Sequence, residues 1–129
     1  MSHASEIPFT LDNLNALKLA VQEHGAQWIE GLKTFKSYQA GLKCEHVIRL
    51  PGCGYEIGVT KSKDGQTYAL TWDTYGEGQK LLAKFGEGCK RLRQSYTTHK
   101  AMLFARSKGF MAQRVTLANG HTEITLTGV

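Results

Sequence analysis

His99 and Tyr96 are the two side chains of this 129-residue chain best placed for acid–base chemistry. They lie three apart in a segment of helical periodicity and so share a helix face, and an imidazole titrates near neutral pH. A catalytic set also needs a nucleophile or base, an orienting partner and an electrophilic group. One histidine and one tyrosine fall short of that. The pattern favours His99 as a core histidine hydrogen-bonded to a strand carbonyl, with Tyr96 capping the sheet edge. Cys44, His46 and Cys53 are the other chemically able group, as soft and borderline metal ligands. Zinc takes three or four ligands, usually with a Cys-x₂₋₄-Cys knuckle. Here the spacing is Cys-x-His followed by six residues before Cys53. Buried structural thiols and an ordinary histidine are expected, with no metal and no other cofactor.

The glycine-rich stretches offer little more. Pro51-Gly52-Cys53-Gly54 has no helix start behind it, and Gly76-Glu77-Gly78 lacks the Gly-Lys-Ser/Thr ending of a phosphate loop. Both read as turns. The carboxylates are scattered beside lysines, so no dyad has an apolar setting that would raise a pKa. No Gly-x-Ser-x-Gly is present. The expectation is a protein that is not an enzyme.

Charge is the more telling pattern. Within Lys80–Lys108 eight lysines and arginines face Glu87 alone, a net +7 in a chain whose total is +5. Lys90, Arg91, Arg93, Lys100, Arg106 and Lys108 are the candidate binding residues. They could meet an acidic protein surface or track a phosphate backbone. In the same segment Leu82, Phe85, Cys89, Leu92, Tyr96, His99 and Leu103 recur at three- and four-residue steps, the spacing of one helix face. Gly86 and Gly88 each weaken a helix by about 1 kcal/mol relative to Ala. Two pieces are therefore expected, near Gln79–Phe85 and from Cys89 to Lys108, with Gly109 as the stop.

These residues need a scaffold, and the rest of the chain supplies one. Glu6–Phe9 reads as a short strand that Pro8 ends or confines to an edge. Thr10 can cap a helix carrying Leu11, Leu14, Leu17 and Val21, with Gly25 as its stop. Ala26–Glu30, Thr34–Tyr38, Glu45–Leu50, Tyr55–Thr60 and Gln66–Trp72 alternate as strands, with a hairpin cue at Asp64-Gly65. Met111–Leu117 and Thr122–Leu126 flank Asn119-Gly120, the strongest short-range hairpin signal. The expected fold is α+β. It is a single domain over residues 1–129, with one antiparallel sheet of about six strands in the order β-α-β-β-β-β-α-β-β. Its two main helices pack on one face.

With 41% hydrophobic and 21% charged residues, composition is that of an ordinary globular domain with one modest core. Three cysteines, an odd number, argue against a disulfide framework and for a reducing cytoplasm. The N-terminus lacks a signal peptide's basic and apolar regions, and no apolar run approaches a membrane span, so no membrane partner is expected.

The run Gln94-Ser95-Tyr96-Thr97-Thr98-His99, then Ala105 and Lys108-Gly109-Phe110, resembles the signature helix of a small family. This is the cyanobacterial and plastid hypothetical chloroplast open reading frame thirty-five family, within domain-of-unknown-function family twelve fifty-seven. Met1-Ser2-His3 resembles that family's start, and Tyr55-Glu56-Ile57-Gly58 with Tyr68-Ala69-Leu70 its central hairpin. The blocks keep their order along nearly the whole chain. Cys44–Gly54 and the glycines at 76, 78, 86 and 88 depart from the pattern, as in a divergent member. The resemblance implies a small soluble protein serving other machinery, such as an AAA-type ATPase. It also makes His3 the partner to examine beside His99 and Tyr96. The combined expectation is a non-enzymatic adaptor acting through the basic helix, with nucleic-acid binding by the same helix as the alternative.

Overall fold

The computed structural model describes residues 4–128 and has the expected α+β architecture. His3, a candidate site residue, lies outside the described residues. Five strands form the main antiparallel sheet, in the order β1 (Ser5–Glu6), β7 (Tyr68–Trp72), β6 (Glu56–Lys61), β5 (His46–Arg49) and β2 (Gln27–Ile29). Period-two alternation decides its faces. Ile48, Ile57, Val59, Leu70 and Trp72 point to one side and are buried there under the helices. Val47 and Gly58, paired across β5 and β6, point to the other.

That second face is covered by a two-stranded ribbon, β3 (Thr34–Phe35) with β4 (Leu42–Lys43). The Phe35 ring lies against Gly58, so close that a Cβ there would stand 2.4 Å from it. The buried Glu56 carboxylate anchors the ribbon. It accepts from the Lys36 backbone N–H at 2.9 Å and from Arg49 Nε at 2.6 Å. A buried carboxylate is tolerable only when paired and hydrogen-bonded in this way.

Helix α1 (Leu14–Glu23) buries Ala16, Leu17, Ala20 and Val21 on the sheet. Its N-cap is Asn13, whose side chain accepts from the Ala16 N–H, and not the Thr10 expected from sequence. The cause is tertiary. The Leu11 N–H and C=O are both bonded to Tyr68, which keeps the chain extended through residue 11 and delays the helix.

The basic segment divides as its glycines suggested. Helix α2 (Gly78–Phe85) ends at Gly86, a single 3₁₀ turn spans Glu87–Cys89, and α3 runs Lys90–Ser107. Gly86, Gly88 and Cys89 all take positive φ (84°, 61° and 59°). Left-handed backbone costs a non-glycine residue roughly 1 kcal/mol, which burial of the Cys89 side chain offsets. The break resets the helical phase, so Leu81 rather than Leu82 is the fully buried leucine of α2.

Strands read from sequence as part of one sheet thus fall into three sheets. The last hairpin, β8 (Met111–Thr116) with β9 (Thr122–Thr127), stands apart from the others beside α3. It has too little inward apolar surface to join a sheet interior. Only Ala112 is buried and Ile124 partly so, and both pack on Met102 and Ala105. No described helix is long and apolar enough to cross a membrane.

The Phe35–Gly58 contact makes a checkable demand. Gly58→Ala is expected to destabilise the protein by about 1–3 kcal/mol through overpacking, measured by urea unfolding. Phe35→Leu in the Gly58→Ala background should recover part of the loss. Simple additivity of the two substitutions would show that the ring is not the obstacle.

Candidate functional site

Residues adjacent on α3 reach opposite ends of α1. Tyr96 Oη accepts from the Asp12 and Asn13 N–H groups at 3.0 and 3.2 Å, and donates to Asp12 Oδ1 at 3.0 Å. Lys100 Nζ reaches the same carboxylate oxygen at 2.6 Å. At the other end, Ser95 Oγ donates to Glu23 Oε2 at 2.8 Å and His99 Nε2 meets Glu23 Oε1 at 2.9 Å. Helix α3 therefore crosses α1 and clamps both its termini. His99 and Tyr96, three apart and expected to share a site, are divided between those two clamps. His99 is bonded to a carboxylate and not to a strand carbonyl.

The Glu23 clamp is the densest polar cluster in the described chain, and sequence reading did not find it. Arg114 from β8 joins at 2.5 Å to Glu23 Oε1, and His24 Nε2 stands 2.8 Å from Ser95 Oγ. Burial alone would push the Glu23 carboxyl up, but hydrogen bonds from Ser95, Arg114 and His99 outweigh it and hold it at about 2. Serine, histidine and glutamate suggest a hydrolytic triad, but the wiring is different. A nucleophilic serine gives its proton to an imidazole whose other nitrogen is held by the carboxylate. Here the carboxylate itself accepts the hydrogen bond from the Ser95 hydroxyl, so His24 donates to the Ser95 oxygen. The arrangement ties α1, α3 and β8 together. Asp12 at the other clamp is likewise held below the usual carboxylate range, first by Lys100 and then by Tyr96.

The six candidate basic residues do not form one group. Arg91 Nη1 donates to the Ala83 and Lys84 carbonyls at 3.0 and 3.2 Å and caps α2 across the glycine break. Arg106 Nη2 donates to the Ala112 carbonyl at 3.0 Å and pins β8. Lys90, Arg93, Lys100 and Lys108 share the exposed sector opposite the buried face, as the ~100° step of a helix requires. Of these, Lys100 is engaged by Asp12. Arg93 lies over the Phe9 ring at 5.2 Å, and its buried Nε has no hydrogen-bond partner among the described residues.

Two open grooves run along this sector, between α3 and the C-terminal hairpin. The first, about 520 Å³, is lined by Phe9, Lys90, Arg93, Gln94, Thr97, Thr98, His121 and Thr122, with no carboxylate. The second, about 280 Å³, is lined by Ala101, Phe104, Ala105, Lys108, Phe110, Ile124 and Leu126. Phe104 is 66% exposed, with the Lys108 ammonium 5.6 Å from its ring. Phe104 stands out in the sequence as an aromatic on the basic face that could stack on bases, but the groove around it does not, because Phe110, Ile124 and Leu126 come from outside α3.

The cysteines and His46 go separate ways. Cys44 is buried and donates to the Leu32 carbonyl, Cys53 donates to Glu77, and His46 lies between Trp28 and Tyr68. Among the described residues no three His, Cys, Asp or Glu side chains gather at metal-ligand distance. Burial pushes the Cys89 thiol up to about 12, against the opposing effect of Arg93, and so keeps it protonated.

The depressed Glu23 pKa carries a pH signature. Its contribution to stability is complete above the ordinary value of 4.5 and is lost as pH falls towards about 2. Glu23→Gln should therefore be less stable than the wild type at pH 7, with the gap closing between pH 4.5 and 2. Urea unfolding across that range measures it, and a gap independent of pH would refute the ionic clamp.

Comparison with protein families, curated proteins and solved structures returns no match.

Proposed function

We propose that this chain is a non-catalytic interaction domain, an adaptor or assembly component that docks a protein partner on the exposed face of α3. The observation that carries this reading is Phe104, 66% exposed in an open apolar groove with Phe110 and Leu126, themselves 43% and 51% exposed. Contiguous apolar surface rimmed by polar groups is the kind of surface that interaction sites present. The polar clusters support the same reading, because their hydrogen bonds are spent on holding elements together. The resemblance to the hypothetical chloroplast open reading frame thirty-five family supplies a partner class, an AAA-type ATPase assembly. Free thiols at Cys44, Cys53 and Cys89 favour the cytoplasm as its compartment.

A pull-down from the native host's lysate tests the docking face. The wild type should retain a stoichiometric protein that Phe104→Asp loses, while the circular dichroism of the variant stays unchanged, since Phe104 contributes little to the core. Retention of the same protein by both forms would overturn the assignment.

A second reading is a nucleic-acid-binding accessory protein, favoured by the exposed Lys90 and Lys108 and the half-buried Arg93, which have no carboxylate partner among the described residues. On that reading, affinity for random-sequence RNA or DNA falls linearly with salt on a log–log plot, with a slope of about −0.7 to −0.9 per phosphate contacted. Absence of binding at low salt removes it.

A further inference from the structure

The two grooves are consecutive stretches of one trough. Thr97 and Ala101, one from each, stand four apart and so occupy the same helix face. The opposite wall is β9, where Thr122, Ile124 and Leu126 alternate and share a side. As α3 runs from Lys90 towards Lys108, β9 runs beside it in the same direction, with Thr122 at the first groove and Leu126 at the second. The 18 residues of α3 give the trough a length of roughly 27 Å at about 1.5 Å per residue. Its character changes along that length. The first part carries Lys90, Arg93 and His121 without a carboxylate, and the second carries Phe104, Phe110 and Leu126, with Lys108 lying over the Phe104 ring at its edge.

We propose that the trough takes one segment of a partner protein, apolar at one end and acidic at the other, in a single direction. Its acidic end lies beside Lys90 and its apolar anchors lie on Phe104. This inference rests on the docking reading and adds the partner's chemistry and polarity to it. Charge complementarity selects the occupant. A second copy of this chain docked face to face would bring a net +7 of its own segment against this one. A nucleic-acid strand would satisfy the first part with its phosphates and stack a base on Phe104, but it would leave the aliphatic wall of Ile124 and Leu126 without apolar cover. A membrane surface is flat and fills no trough. An apolar–acidic peptide covers both parts and pairs Lys90 and Arg93, the two cations of the first part.

Selection of 16-residue random peptides displayed on phage, against the intact protein, tests this. Enriched peptides should carry aromatic or aliphatic anchors at one end and two or more Asp or Glu at the other. Synthetic copies should lose binding to Phe104→Asp. Lys90→Glu, at an exposed side chain with no bond to lose, should weaken them by about 10-fold at low salt, and less at physiological ionic strength. Peptides sensitive to Phe104→Asp but indifferent to Lys90→Glu and to loss of their acidic residues would overturn the polarity and leave the docking reading standing. Peptides indifferent to both variants, or no enrichment, would overturn both. So would binding to anionic vesicles that Phe104→Asp abolishes in the absence of any selected peptide.

Discussion

The crossing of α3 over α1, held at both ends of the shorter helix, is the constraint on which the rest of the molecule depends. Apolar packing of Leu92 and Tyr96 into the main core brings the two helices together but leaves their angle loosely defined. The polar clamps fix it. Tyr96 holds the start of α1, where exposed helix N–H groups need acceptors, and Ser95 with His99 holds Glu23 at its end. Neither clamp can shift without breaking the other, because the residues responsible are neighbours on one turn of α3. With that angle set, the opposite face of α3 is directed away from the sheet, and whatever it carries is displayed.

Formal charge and available charge are different quantities in this helix. A net +7 over Lys80–Lys108 suggests a uniform basic surface. The structure spends Arg91 on the α2 carbonyls, Arg106 on β8, and Lys100 on Asp12. Arginine suits such duties because its planar fork reaches several acceptors and stays charged. Surface ion pairs such as Lys100–Asp12, with both side chains about half exposed, add little stability. Their effect here is to neutralise a charge at one position. Of the remaining cations, Lys90 and Arg93 lie at the start of α3 and Lys108 at its end, over an aromatic ring, so the direction of the face comes from where its apolar side chains lie as much as from charge.

Much of the fold was legible in the sequence, for local reasons. The Gly86–Gly88 break, the Asn119-Gly120 hairpin and the alternation around Ile57 and Leu70 are encoded within a few residues of where they act. What escaped is long-range. Leu11 looked like the first residue of a helix because its bonds to Tyr68 cannot be seen in its own neighbourhood. Glu23, His24, Ser95, His99 and Arg114 meet only after α3 has crossed α1, from positions 71 to 76 residues apart in the cases that involve α3. No spacing rule joins them. The apolar groove was hidden for a related reason. Phe104 is visible as an aromatic on the basic face, but Phe110, Ile124 and Leu126 reach it from outside α3.

The second wall of the trough is its least secure part, which ties recognition to the clamp. A two-stranded hairpin is marginal by itself, and in this one Ala112 is the buried residue and Ile124 is partly so. It is held to the body by Met102 and Ala105, by the Arg106 bond to the Ala112 carbonyl, and by Arg114 on Glu23. Glu23 therefore serves two elements at once. The same carboxylate that fixes the end of α1 also fixes β8, and through β8 the position of β9 and its Ile124 and Leu126. Loss of the Glu23 charge would release the hairpin before it unfolded the core, because the five-stranded sheet and the packing of α1 on it do not depend on Arg114. Recognition along α3 would then fail in a protein that remains folded.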